Sequence, residues 1–244
     1  MKNTKKVTIA TLCSILLLGS MSAAVQAASS QSSNSITLKT AAAKAPTDAE
    51  KKKLIEAEKA RIVKLKKNPG DVYLVYVSDK KLNGDSEFMY YVEFPRFQKY
   101  EDYEKWTSKL KGAIVQEPEG MPEGYTFVKG VIQSPFSKKF EAQVKAEAKG
   151  KVVYSKKMEW TEAGEIKLEY KKGKDNIILH MQTVYTEDKE AKGYTYESAA
   201  DSLHTDRNQV TWSENGKIFF LSVNPENPLT EEDLMELAKT MIKK

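Results

Sequence analysis

Short runs of β-branched and aromatic residues, separated by turn residues, occupy the middle of the chain, and stretches with apolar residues three and four apart flank them. This pattern predicts hairpins mixed with amphipathic helices. DVYLVYVS (71–78) and EFMYYVEF (87–94) read as one hairpin, with Asn83-Gly84 in the connection and Pro95 closing the second strand. A second hairpin is predicted from Glu165 to Tyr170 and Asn176 to Val184, across Lys171-Lys172-Gly173-Lys174-Asp175. A third joins Val210-Thr211-Trp212 to Lys217–Val223 across Glu214-Asn215-Gly216. Single strands are predicted from Tyr125 to Gln133 and at Val152-Val153-Tyr154, and Tyr194–Tyr196 is a short pairing candidate in the polar stretch 185–208.

Four helices fit the remaining pattern. Thr47-Asp48-Ala49-Glu50 has the spacing of a capping box and opens a helix over 48–67 with a thin stripe of Leu54, Ile55, Ile62 and Leu65, stopped by Asn68-Pro69-Gly70. Tyr100, Tyr103, Trp106 and Leu110 recur at helical spacing. Residues 137–148 form a third helix with Phe140 and Val144 inward. Thr230 caps the last, in which Leu234, Leu237, Ala238, Met241 and Ile242 share a face. The sum is an α+β domain over 46–244: a curved antiparallel β-sheet of about seven to nine strands with three or four helices packed on one face.

The N-terminus reads as an address. Lys2, Lys5 and Lys6 precede an apolar run from Val7 to about Val25 that closes on Val25-Gln26-Ala27, so residues 1–27 are expected to be a signal peptide cleaved after Ala27. An uncleaved anchor is the alternative, since the run is nearly long enough to span a bilayer core of about 30 Å. Residues 28–45, rich in Ser, Ala, Thr, Gln and Asn, carry too little apolar surface to offset ordering and read as a disordered linker. The expected location is therefore outside the cell, in the cell-wall space.

Composition narrows the chemistry. The 244 residues hold one cysteine and two histidines. Cys13 lies within the apolar run, so the mature chain has no thiol and no disulfide and must rely on core burial. His180 sits in an alternating strand and His204 in a polar loop, neither with the partners a zinc site or a catalytic triad needs, so no metal, cofactor or catalytic residue is assigned. Glu159, Glu162, Glu165 and Glu169 are numerous enough for a two-carboxylate hydrolase of wall polymers, but abundance does not define a pair. The formal charge of +5 is unevenly spread. Residues 44–67 hold nine basic and four acidic side chains, whereas residues 68–244 hold 26 basic and 30 acidic ones. Nucleic acid is thus not an expected partner. The 44–67 helix alone could make a weak anionic-surface contact, or be a solvated face of Glu–Lys pairs. The Tyr/Trp stripe also has two readings. Tyr90, Tyr103, Trp106 and Phe127 line a cavity for a hydrophobic ligand, or they are core.

Met121-Pro122-Glu123-Gly124-Tyr125-Thr126-Phe127, together with Trp212, Glu214-Asn215-Gly216, Phe219, Leu221 and an acidic helix bearing Leu234, Leu237 and Ala238, resembles the bacterial domain of unknown function 4367 family. The resemblance covers about residues 120–244, with Met121 in place of the usual leucine and a longer Asn224-Pro225-Glu226-Asn227-Pro228 connection. It implies a protein exported or membrane-anchored in Gram-positive bacteria, and brings no catalytic residue with it. It also allows a strand or turn in place of the 137–148 helix. A looser fold-level analogy is to lipoprotein carriers, with helices held against a curved antiparallel sheet. The expected function is a secreted, non-enzymatic binding or sensing module of the cell envelope that engages an envelope protein or a hydrophobic ligand; carrier and wall-polymer hydrolase are the alternatives.

Overall fold

Pairing between the predicted hairpins divides the strands into two main antiparallel sheets. The computed structural model describes residues 45–65, 67–184, 193–203 and 205–243. The signal segment, all of the linker but its last residue, and His204 lie outside them. In chain order the elements are α1 (Asp48–Lys64), β1 (Val72–Val77), β2 (Phe88–Val92), β3 (Arg96–Phe97), α2 (Tyr100–Thr107), β4 (Ile114–Val115), β5 (Thr126–Gln133) and α3 (Lys138–Ala148). There follow β6 (Val153–Met158), β7 (Glu165–Lys172), β8 (Asp175–Thr183), β9 (Thr195–Glu197), β10 (Asn208–Glu214), β11 (Lys217–Val223), α4 (Glu231–Thr240) and β12 (Ile242–Lys243). The α+β class and the antiparallel pairing agree with the sequence. The distribution of strands is finer: a seven-stranded sheet ordered β3-β5-β7-β8-β11-β10-β9, a three-stranded sheet ordered β2-β1-β6, and a ribbon of β12 with β4.

Period-two burial orients the large sheet. Ile177, Leu179 and Met181 of β8 point inward with Phe219, Leu221 and Val223 of β11, all at 0% exposure. They meet Tyr103 of α2 and Leu234, Leu237 and Ala238 of α4 in one apolar cluster. Asn215 and Gly216 take φ +53° and +71° in the two-residue turn between the paired Glu214 and Lys217, as a type I′ hairpin requires.

The three-stranded sheet has a core of its own. Val72, Leu74 and Tyr76 of β1 pack on Val144 and Ala148 of α3. Val75 and Val77 point to the opposite face and are equally buried. That face is closed by α1, whose Ile55 and Ile62 have no exposed surface. Ser155 of β6, opposite Val75, accepts from Arg61 at 2.8 Å and donates to Glu58. The side-chain bond from Arg61 lowers the Glu58 pKa against the opposing effect of burial, and Ser155 lowers it further. A carboxylate held below its ordinary 4.5 stabilises the fold above that value and loses the contribution as pH falls through its folded pKa. The urea midpoint of Glu58→Gln is therefore expected to fall less than that of the wild type between about pH 6 and about pH 3; equal falls would refute the role given to this contact.

Thr230 and Asp233 form the capping box at the start of α4. The Thr230 hydroxyl accepts from the Asp233 amide at 3.2 Å, and the Asp233 carboxylate accepts from the Thr230 amide at 2.8 Å. Thr230→Ala is expected to cost about 1 kcal/mol, read as a Tm lower by about 2–4 °C in a domain of this size. The helix ends two residues before its apolar periodicity does. The Gln116 side chain donates to Thr240 O at 2.9 Å and its amide to Met241 O at 2.8 Å, which draws Ile242 and Lys243 into pairing with β4.

Candidate functional site

One concavity lies where the loop after α1, helix α2 and the segment after β6 meet. Pro69 and Gly70 break the helical path, and Gly70 adopts φ +95°. A Cβ there would lie 3.2 Å from Trp106 Cζ2 and 3.8 Å from Trp160 Cζ2. Glycine thus lets two indoles close on the backbone: Trp160 Nε1 donates to Gly70 O at 2.8 Å, and the two rings stand 5.3 Å apart, tilted by 44°. Lys109 places its ammonium 4.5 Å from the Trp106 ring centre, within cation–π range. Asp71 and Lys157 pair at 2.7 Å on the rim. Burial pushes the Asp71 carboxyl up, but the Lys157 ammonium and the Asn68 amide outweigh it and hold the group below the usual carboxylate range. The cleft has a volume of about 310 Å³ and also takes in Leu110, Met158, Glu159 and Thr161. It offers flat apolar faces beside fixed charges of both signs, a combination suited to holding a ring-bearing partner.

The four aromatic residues singled out in the sequence do not meet as one wall. Trp106 lines the cleft. Tyr103, 1% exposed, packs edge-to-face on Phe97 and donates its hydroxyl to Val115 O, so its place is in the core. Phe127 packs between Tyr100 and Tyr170 at 5.6 Å from each, inside the same cluster. Tyr90 belongs to the other sheet, edge-on to Phe136 at 5.0 Å, with its hydroxyl donating to Glu141.

The four glutamates also part company. Glu159 lines the cleft, and Glu162 lines a second pocket. Glu169 binds Lys129 and Lys171 on the outer face of the large sheet. Glu165 accepts from Gln133 at 2.7 Å and lies 3.1 Å from His180 Nε2, and the His180 contact lowers the Glu165 pKa against burial. His180 also stacks on Phe220 at 5.3 Å, which gives its ring a structural place on the sheet. Among the described residues, no group of three His, Cys, Asp or Glu side chains could hold a metal, and no helix is long and apolar enough to cross a membrane. On α1, Lys59 pairs with Glu56 at 3.0 Å and Arg61 with Glu58 at 2.7 Å, so part of its positive charge is met within the helix.

Trp160 escaped the sequence reading, and Gly70 entered it only as part of the stop after the first helix. They are 90 positions apart, and neither carries a local motif that points to the other. Comparison with family models, with curated proteins and with solved structures found no match to this chain.

Proposed function

We propose that this chain is an exported, non-enzymatic binding or sensing module of the cell envelope that takes its partner in the Trp106–Trp160 cleft. The cleft carries the proposal: two half-buried indoles are positioned by a glycine backbone and bordered by Asp71, Lys109 and Lys157, so aromatic surface lines the cleft while the charges fix orientation. Export rests on the basic, apolar and small-residue order of residues 1–27, and the resemblance to the domain of unknown function 4367 family belongs to the same reading. The sugars of wall polymer offer rings of the kind that stack on exposed indoles.

The test is co-sedimentation of the purified chain with insoluble wall polymer prepared from a Gram-positive host. The wild type is expected to sediment, Trp106→Ala to bind at least about tenfold more weakly, and Trp106→Phe to recover part of the loss, as an aromatic anchor would. A wild type that stays in the supernatant, or a Trp106→Ala variant that sediments unchanged, refutes the assignment.

A further inference from the structure

Lys217, at the start of β11, is 7% exposed. Its ammonium donates to Ala163 O and to Thr183 Oγ1, each at 3.1 Å, and among the described residues its third N–H has no partner. Among the described residues it makes no ion pair. A buried ammonium held by two neutral acceptors is a costly arrangement, because the charge has left water without meeting an opposite one. Lys217 does not face packed core, however. It lines an open pocket of about 670 Å³ with Glu162, Glu214, Asn215, Gly112, Ala113 and Ile242. Glu162 and Glu214 form no ion pair among the described residues either. Burial pushes the Lys217 pKa down, and the Glu162 charge opposes that only in part.

The lining therefore has an order. A single cation stands where the sheet and the Ala163 carbonyl meet, two carboxylates stand beside it, and Ala113 and Ile242 supply an apolar wall. A simple anion would answer Lys217 but be repelled by the glutamates, and a simple cation would do the reverse. A small molecule with a carboxylate and an ammonium a few bonds apart answers both. We propose that this pocket binds the zwitterion of an amino acid or short peptide, its carboxylate on Lys217 and its ammonium toward Glu162 and Glu214, with small apolar side chains against Ala113 and Ile242. The site is separate from the tryptophan cleft and does not depend on the function proposed for it.

Calorimetric titration of the full chain with alanyl-alanine, N-acetyl-alanyl-alanine and alanyl-alanine amide tests this. The free dipeptide is expected to bind at least tenfold more tightly than either capped form, and Lys217→Met to lose at least tenfold. A second readout needs no variant: in ¹⁵N-detected NMR of wild-type lysine ammonium groups, the Lys217 titration midpoint is expected to rise when the dipeptide is present, since a bound carboxylate favours the charged form. Absence of binding by the free dipeptide overturns the proposal. So does equal binding of either capped form, which would mark a plain anion or cation site, and so does an unmoved Lys217 midpoint at saturating dipeptide.

Discussion

Phe219→Ala is expected to be among the most damaging single substitutions in the chain. Phe219 lies on β11, with β8 on one side and β10 on the other, opposite Met181 and Trp212. Its side chain has no exposed surface, and its ring lies nearly parallel to that of Trp212, 5.3 Å away at 15°. Truncation removes the transfer energy of a full aromatic ring. It also leaves a cavity between two strands that cannot close up, since their ladders are fixed on both sides. The combined cost is about 3–5 kcal/mol, a Tm lower by about 6–20 °C at about 2–4 °C per kcal/mol. Phe220→Ala is the internal control. Phe220 is half-buried on the outer face against His180, where solvent fills the space a truncation leaves. Thermal unfolding followed by near-ultraviolet circular dichroism separates the two, and equal losses would contradict the inward and outward assignment of β11.

Gly164→Ala is expected to cost about 3 kcal/mol, the upper range for overpacking, or about 6–12 °C in Tm. The reason is contact with backbone, not with side chains that could turn aside. A Cβ at Gly164 would lie 2.7 Å from both Ser134 O and Pro135 Cα. The Gly164 amide donates to Gln133 O at 2.9 Å and its carbonyl accepts from the Thr183 amide at 2.8 Å, which ties the residue to β5 and β8 at once. Gly173→Ala supplies the contrast, because a Cβ there meets nothing within 4 Å and its cost comes only from the φ of +60°. Urea denaturation of the two variants should rank Gly164→Ala as clearly the worse; a reversed order would mean that the chain at Ser134-Pro135 gives way easily.

The elements that local chemistry dictates were legible in the sequence. Asn215-Gly216 named its turn, Thr230 with Asp233 named the start of α4, and Ser137 opens α3 by accepting from the Lys139 amide, where a strand or turn was the alternative. What local chemistry does not dictate was not legible. VYLVYV is apolar on both faces because α1 and α3 cover β1 from opposite sides, and nothing in that run says that it belongs to a different sheet from β7 and β8. β6 continues to Met158 through Ser155, Lys156 and Lys157, whose polarity masks the strand: Ser155 answers α1, Lys156 pairs with Glu147 and Lys157 with Asp71. β4 and β12 are two residues each, too short for any periodicity to register. At the cleft, the helical stripe pointed to Trp106. Its counterpart Trp160 follows β6 and meets Trp106 through tertiary packing, so no spacing rule reaches it.

The large sheet ends on very short strands, β3 with two residues and β9 with three. Where β3 leaves β5 uncovered, the register shifts between Phe127 and Lys129. Among the described residues, β10 extends past its pairing with β9 and ends on the charge of Glu214. Short borders, an irregular ladder and a terminal charge each deprive a neighbouring chain of a straight row of backbone groups to copy. The consequence concerns assembly: growth of this seven-stranded sheet by strand addition has no long, even border on which to begin.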